Sequence, residues 1–238
     1  MNLIIDIGNT KIKFALFKGQ TLLVSGSGDS NDLEQFLKEK QVANTLISAV
    51  AKSNKIEEVL NKKGLEFIHL SHETAIPIAN KYSTPTTLGD DRLANVIGAS
   101  KLYPNSNVLT IDCGTCIKFD AITDKNEYKG GAISPGLQMR FKALNTFTNG
   151  LPLIEAEHLD FFIGDSSKNS ILSGVINGCI HEIDGVIAQY RTVYDKLTVI
   201  LTGGDASFFD KELKSNIFVE QKLTLIGLNE ILLYNSRS

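Results

Sequence analysis

Residues 3–10 read LIIDIGNT, and residues 109–115 read LTIDCGT. Each stretch is a short apolar strand that ends in Asp-x-Gly. A glycine directly after a strand lets the backbone turn tightly and bring its N–H groups close to a ligand, while the aspartate holds a hydrated cation. The two stretches therefore predict two nucleotide phosphate-binding turns in one chain.

The similarity between the two halves continues beyond the turns. KIKFALF (residues 11–17) and CIKFDAI (residues 116–122) both alternate apolar and polar residues, as a returning β-strand does. A third strand is predicted in each half, at TLLVSGS from Thr21 and at EYKGGAI from Glu127. Each half thus opens with a meander of three strands, and an internal duplication explains the pattern.

Helical and strand patterns alternate after the first meander. NDLEQFLKEKQ from Asn31 and NKIEEVLNKK from Asn54 have helical periodicity. The short strands TLISAV from Thr45 and EFIHL from Glu66 lie between and after them. This order predicts βαβ crossovers, which add parallel strands to the first meander.

The second half contains a longer helical pattern. We expect a helix from Ser166 to about Tyr190, a buried strand TVILTGGD from Thr198, and a terminal helix from Leu228 to about Tyr234. The length of 238 residues and the two similar halves favour two domains, residues 1–107 and residues 108–238.

Composition excludes several classes of protein. The net charge is −3 and 42% of the residues are hydrophobic. The chain therefore lacks the surplus of basic residues that is typical of nucleic acid binding. The apolar run at the N-terminus is interrupted by Asp6, and no stretch reaches the roughly 18 apolar residues of a membrane span. We therefore expect a cytoplasmic protein with no membrane partner.

The chain has three cysteines, Cys113, Cys116 and Cys179, which do not suggest a disulfide framework. Cys113 and Cys116 form a CxxC, a spacing that redox pairs and half zinc sites use. No second CxxC or histidine pair accompanies it. The alternative, two small apolar residues lining the glycine turn, is therefore the favoured interpretation.

Three motifs in order resemble a known superfamily. DIGNT, then DCGT, then TGGDA (residues 202–206) resemble the phosphate 1, phosphate 2 and adenosine signatures of the actin-like sugar and acetate kinases. The resemblance implies an α/β fold of duplicated ribonuclease H-like domains. It also implies a cleft between the two domains in which the phosphates of ATP are held from both sides.

Further segments resemble the type III pantothenate kinases: YSTPTTLGDDR (residues 82–92), GGAISPGL (residues 130–137) and GDSSKNSILSG (residues 164–174). The resemblance implies ATP-dependent phosphorylation of the primary hydroxyl of pantothenate to 4'-phosphopantothenate, the first step of coenzyme A biosynthesis. It also implies a homodimer with the pantothenate pocket near its interface, to which the helix from Ser166 contributes.

The resemblance implies that the residues which act on pantothenate lie in the GxDR segment, residues 89–92. Phosphoryl transfer needs a carboxylate that accepts the hydroxyl proton, and the family pattern places it at Asp91. Asp90 is an adjacent rival, but a helix that begins close to Gly89 would use Asp90 as its N-cap and leave Asp91 for chemistry. The guanidinium of Arg92 suits the carboxylate of pantothenate, although a surface salt bridge is its plainer role. Tyr82 offers the substrate a ring face and a hydroxyl.

The candidates for the Mg-ATP contact in the first half are Asp6, Gly8, Asn9, Thr10, Lys11 and Lys13. Asp6 suits Mg²⁺, which keeps several waters and binds few carboxylates. Lys11 and Lys13 alternate with Ile12 and share one face of the returning strand, where ammonium groups meet phosphate oxygens or simply face solvent.

The second turn departs from the pattern that it resembles. By that resemblance Asp112 binds a monovalent cation, K⁺ or NH₄⁺, and Gly114 and Thr115 contact phosphate. The family reads DxGTAxT where this chain reads DCGTCIK, so Cys116 replaces an alanine and Lys118 replaces a threonine. A bulkier, charged residue at this position changes the nucleotide contacts or the cation requirement. Separately, the substrate-binding threonine of the family is a serine here, Ser167, which keeps the hydroxyl.

Two other functions are consistent with parts of the sequence. A non-catalytic nucleotide-binding regulator of the same fold would bind ATP without phosphoryl transfer, and the intact Asp91 argues against it. A ribonuclease H-like nuclease would use Asp6 and Asp112 to bind two metals. The absence of a basic track and the glycine turns beside both aspartates argue against the nuclease.

Overall fold

The computed structural model describes residues 1–8, 11–49 and 54–236. The chain forms two compact units. The first comprises Met1–Asn105, Lys125–Lys129 and the chain from Lys222 onward, and the second comprises Ser106–Asp124 and Gly130–Gln221. This division differs from the predicted domains, residues 1–107 and 108–238, chiefly because the terminal helix packs with the first unit.

The strands and helices of the first unit are β1 (Asn2–Ile7), β2 (Ile12–Lys18), β3 (Thr21–Gly28), α1 (Ser30–Phe36), β4 (Asn44–Ala49), α2 (Asn54–Lys62), β5 (Ile68–His69), β6 (Ala79–Asn80), α3 (Asp90–Leu102) and, from the end of the chain, α7 (Leu223–Asn235). Its sheet has the order β3-β2-β1-β4-β5. The first three strands are antiparallel, and β4 and β5 add in parallel. The predicted meander and crossovers are therefore confirmed.

Helix α7 lies against α3 at a contact between two glycines. A Cβ on Gly98 would come within 2.5 Å of the carbonyl oxygen of Leu223, and one on Gly227 within 1.8 Å of that of Ala94. Thr224 also donates a hydrogen bond of 2.8 Å to Asn95 across this contact. Helix α7 begins at Leu223, five residues before the predicted Leu228. Most of its residues are buried, so its sequence lacks the alternation of polar and apolar faces from which a start could be predicted.

The elements of the second unit are β7 (Val108–Cys113), β8 (Cys116–Ile122), β9 (Glu127–Pro135), α4 (Leu137–Thr146), α5 (Ser167–Val193), β10 (Thr198–Thr202), α6 (Ala206–Phe209) and β11 (Phe218–Val219). The first three residues of β9 belong to the first unit, where Ala79 and Asn80 of β6 pair with Glu127 and Tyr128. Strands β11, β10, β7, β8 and β9 are neighbours in that order. The second meander is therefore confirmed as well.

Helix α5 is long and apolar enough to cross a membrane by length and composition alone. Its buried face, which includes Leu172, Ile176, Cys179 and Ile183, packs in the hydrophobic core of the second unit. That packing accounts for the apolar composition of α5 as that of a core helix.

Candidate active site

The first Asp-Gly turn follows β1. Asp6 is buried, with 9% of its surface exposed, and lies directly across the antiparallel ladder from Lys13. The Gly8 N–H donates to the carbonyl of Lys11 at 3.2 Å and closes the turn. Lys11 precedes β2, so only Lys13 of the two lysines lies in the returning strand. The predicted contacts Asn9 and Thr10 lie outside the described residues.

The N-terminus of α3 places the GxDR residues. The N-cap is Gly89 and makes no side-chain capping bond, so the prediction that Asp90 caps this helix is wrong. Asp90 is the first helical residue, since the backbone of Gly89 already has the extended conformation that an N-cap needs. Asp90 therefore has no capping role that would exclude it as a candidate for the base.

The two adjacent carboxylates have different surroundings. Burial, with a smaller contribution from the charge of Asp91, raises the pKa of Asp90 to about 6. Asp91 accepts the backbone N–H of Arg92 through Oδ1 at 2.8 Å. The first turn of the helix thus has two carboxylates on successive residues, which disfavours charge on both at once.

Arg92 is held by aromatic residues. It is 5% exposed, and its guanidinium carbon lies 5.4 Å from the centre of the Tyr82 ring. Its Nη1 donates to the Tyr82 hydroxyl at 3.4 Å. Tyr82 in turn stacks on Tyr128, which is fully buried, with 6.0 Å between ring centres. This stack holds the guanidinium of Arg92 against the ring and hydroxyl of Tyr82.

The second Asp-Gly turn follows β7, and two other segments of the chain approach it closely at glycines, Gly136 and Gly203. The Gly114 N–H donates to the carbonyl of Cys116 at 3.2 Å, which matches the bond in the first turn. A Cβ on Gly136, just before α4, would lie 2.4 Å from the carbonyl oxygens of Gly114 and Thr115. Gly203 has a φ of +94°, and a Cβ there would lie 2.5 Å from Asp112 Oδ1.

Lys118 lies directly across the ladder from Asp112. Its Nζ is 2.7 Å from Asp112 Oδ2, and the two side chains are only 15% and 14% exposed. Side chains of directly opposed residues in an antiparallel pair project on the same face, so the register itself brings these two groups together. The pair is a partly buried ion pair inside the predicted phosphate-binding turn.

This ion pair does not fit the monovalent cation that the resemblance implied at Asp112. The ammonium of lysine has three donors and no acceptor, so Lys118 is no metal ligand. A second cation about 4 Å from it would be repelled by about 4 kcal/mol at an effective dielectric constant of 20. The residues present therefore argue against K⁺ or NH₄⁺ at this carboxylate.

Asp205 contacts the second turn through its backbone, and two of the three cysteines are buried. The N–H of Asp205, from the TGGDA motif, donates to the carbonyl of Cys113 at 2.9 Å, and burial raises the pKa of the Asp205 carboxyl. Burial also raises the pKa of the Cys113 thiol above its usual value and that of Cys179 to about 11. All three cysteines are free, and Cys113 of the CxxC is buried, which agrees with the apolar interpretation at that position, whereas Cys116 is partly exposed.

Ser167 is the first residue of α5 and lines a pocket of about 730 Å³ in the second unit. Leu144, Leu151, Ile171 and Val175 make the pocket mainly apolar, and Arg140 borders it. Such a volume suits a small organic ligand. The position is consistent with the predicted role of Ser167 in substrate binding.

The described residues contain no cluster of three or more potential metal ligands. Among residues 1–8, 11–49 and 54–236, no three His, Cys, Asp or Glu side chains are grouped to hold a metal ion. Mg²⁺ does not need such a group, because it binds one or two carboxylates together with waters and substrate phosphates. The buried Asp6 at the end of β1 fits that requirement.

Two features of the site were not predicted from the sequence. The stack of Tyr128 on Tyr82 depends on the pairing of β6 with β9, and no local pattern announces it. The contact between Lys118 and Asp112 had a signal, since a two-strand ladder around Gly114 and Thr115 places these residues opposite each other.

Comparison with known proteins gives one consistent result. Residues 2–189 match the profile of the family described as type III pantothenate kinase. A protein of that name from Phocaeicola vulgatus is 45% identical over 241 aligned residues, which cover 100% of each chain.

Solved structures are similar at the level of the fold. A protein from Campylobacter jejuni, described as a Baf family transcriptional activator, has a TM-score of 0.62 at 23% identity, covering 99% of this chain and 100% of its own. The Lmo2764 protein from Listeria monocytogenes, assigned as an N-acetylmannosamine kinase, has a TM-score of 0.57 at 15% identity and 99% coverage of both chains. The predicted fold class, duplicated ribonuclease H-like α/β domains of the actin-like type, is confirmed.

Proposed function

Because the chain belongs to the type III pantothenate kinase family and phosphorylates pantothenate in coenzyme A biosynthesis, we propose that Asp91 is the base of this reaction and that Arg92 and Tyr82 hold the substrate beside it. The observation that carries the proposal is the start of α3, where two carboxylates and a buried guanidinium occupy one helical turn. The regulatory alternative is not favoured, since relatives at 42–45% identity over essentially the whole chain are named type III pantothenate kinases.

In the proposed reaction Asp91 accepts the proton of the primary hydroxyl of pantothenate. The hydroxyl oxygen forms a bond to the γ-phosphorus of ATP, the bond from that phosphorus to the β–γ bridging oxygen breaks, and ADP leaves. Arg92 pairs with the carboxylate of pantothenate, for which its planar fork is suited. Asp90, Gly89 and Tyr82 shape the surroundings of this contact.

The donor contacts are assigned to the two Asp-Gly turns. Asp6 would hold Mg²⁺, which would supply neutralisation of charge on the transferred phosphoryl group. Gly8, Asn9, Thr10, Lys11 and Lys13 contact the phosphates from the first turn, and Gly114 and Thr115 contact them from the second. A monovalent cation at Asp112 has no part in the proposed reaction, since the Lys118 ammonium already lies 2.7 Å from that carboxylate.

We also propose that the protein is a homodimer. Several large apolar side chains of the second unit are well exposed in the single chain: Ile133, Leu153, Phe147, Phe162 and Ile163. Exposed apolar surface of this kind marks an interaction surface, and a second copy would cover it beside the pocket of Ser167. A cytoplasmic location with no nucleic acid or membrane partner agrees with a kinase that uses ATP and a small soluble substrate.

The test is release of ADP by the purified protein with Mg-ATP, measured with and without pantothenate. We expect turnover that depends on pantothenate and a phosphorylated product detected by mass spectrometry. ATP binding without any pantothenate-dependent turnover would instead support the regulatory function. The elution volume and light scattering of the same preparation measure the oligomeric state.

A further inference from the structure

We propose that Lys118 is a built-in counter-ion that neutralises Asp112, so that this enzyme needs no inorganic monovalent cation at its second phosphate-binding turn. The inference rests on the proposed function of that turn and concerns how its charge is balanced. It starts from the contact of 2.7 Å between Lys118 Nζ and Asp112 Oδ2.

Both oxygens of the Asp112 carboxylate face groups of this chain. Oδ2 contacts the ammonium of Lys118. Oδ1 faces Gly114 and Gly203, at which a Cβ would lie only 3.2 Å and 2.5 Å away. An ion that replaced Lys118 would have to displace a side chain that is itself 15% exposed and fixed in a β-ladder.

The register of the β7–β8 ladder places Lys118 next to Asp112. Asp112 and Lys118 are direct partners in the β7–β8 ladder, and the turn between them contains only Gly114 and Thr115 outside the strands. The first half repeats the ladder register, with Asp6 opposite Lys13. A cation at Asp112 is disfavoured by the contact of 2.7 Å that Lys118 makes there, in addition to the register.

The carboxylate of Asp112 would repel a polyphosphate that binds at this turn, because both are negatively charged. A counter-ion removes that repulsion, and a tethered ammonium does so at every salt composition, since it never dissociates. An enzyme that depends on a bound ion loses activity when the ion is exchanged for one of the wrong size. An enzyme with a tethered counter-ion does not.

The experiment replaces the monovalent cation in the ADP-release assay at constant ionic strength. KCl, NH₄Cl, NaCl and tetramethylammonium chloride are compared with saturating Mg-ATP and pantothenate. We expect the rate of the unaltered protein to vary by less than about twofold, because screening of surface charge is the same in every salt at constant ionic strength.

Lys118→Thr restores the threonine that the family pattern has at this position. We expect this variant to lose activity in tetramethylammonium and to regain at least about tenfold in K⁺ or NH₄⁺, since an electrostatic contact to the reacting groups is commonly worth that much or more. Lys129→Thr is the matched control, because Lys129 is also a strand lysine in an ion pair, with Glu127, but is 44% exposed. Its rate should stay at the unaltered level in every salt.

A second readout does not depend on activity. The melting temperature of the ligand-free protein should be the same in K⁺ and in tetramethylammonium, whereas that of Lys118→Thr should rise in K⁺. If Lys118→Thr fails to fold, Lys118→Gln and the salt series on the unaltered protein still decide the matter.

The outcomes separate the two proposals. Pantothenate-dependent turnover of the unaltered protein only in K⁺ or NH₄⁺ would overturn the built-in counter-ion and leave the kinase function in place. No turnover in any salt would contradict the proposed function, while the melting temperatures would still test the counter-ion.

Discussion

The GxDR turn of the first unit and the Asp-Gly turn of the second each contain an acidic and a basic side chain, but they use the two charges in opposite ways. At the start of α3 two carboxylates are adjacent, Asp90 has a raised pKa, and the cation Arg92 stacks on Tyr82. In the second turn Asp112 is paired with Lys118 at 2.7 Å.

The difference agrees with the roles that we propose for the two turns. The proposed base must accept a proton, and a nearby negative charge favours that, whereas a tight ion pair with a lysine opposes it. Negative charge on a turn that approaches phosphates would repel them. Under these proposals the same residue types serve a base in one place and a neutral support in the other.

The largest effect is expected for Asp91→Asn. Loss of a general base costs about a hundredfold to ten-thousandfold in kcat, whereas Asp90→Asn should retain most of the activity. Steady-state kinetics of both variants, with circular dichroism to verify folding, make the comparison. The reverse ranking would move the base to Asp90 and show that its raised pKa is used in catalysis.

The next effect tests the cation at the start of α3. Arg92→Lys keeps the charge but loses the planar fork and the stack on Tyr82. We expect the KM for pantothenate to rise about tenfold to a hundredfold, as loss of a charged hydrogen bond does. The KM for ATP is the internal control, and an equal rise in both values would assign Arg92 to general stability.

A smaller effect is expected for the strength of the pair in the second turn. A double-mutant cycle of Asp112→Asn and Lys118→Gln, read from urea unfolding, should give a coupling of about 1.5–3 kcal/mol, the range for a hydrogen bond to a charged group. The cycle for Lys129 and Glu127, both substantially exposed, should give about 0.2–1 kcal/mol. Equal couplings would mean that burial adds nothing to the Asp112 pair.

The smallest effect concerns Asp90 and pH. Its folded pKa of about 6 exceeds its usual 3.8, so protonated Asp90 favours the folded state. That stability is fully present below pH 4 and is lost as the pH rises through about 6. After discounting for partial exposure, we expect the free energy of unfolding to fall by about 1 kcal/mol more in the unaltered protein than in Asp90→Asn between pH 4 and 7. Parallel curves for the two proteins would show that Asp90 is not perturbed.

Much of the fold could be predicted because its signals are local or repeated. Strands β1 and β7 are apolar runs that end in Asp-x-Gly, and helix α3 begins within one residue of the predicted point. The start of α7 could not be placed, since Leu223–Leu228 lacks a polar face and periodicity then has no phase to follow.

The site was less predictable, and the reasons are physical. The choice of Gly89 over Asp90 as the N-cap of α3 depends on how the preceding chain enters the helix, which composition does not record. The stack that holds Arg92 needs Tyr128, 46 residues after Tyr82 in the sequence, and arises only when β6 and β9 pair. Long-range pairing of this kind leaves no periodic trace.

The contact of α7 with α3 has a consequence for how the chain is made. The helix that bears Asp91 is synthesised roughly 120 residues before the partner that buries it, which at about 10 residues per second is a delay on the order of 10 s on the ribosome. During that interval the apolar face of α3 has no α7 to cover it. Helix α3 is therefore covered only after α7 has been made, although it emerges early, and a nascent chain offers that exposed face to chaperones until then.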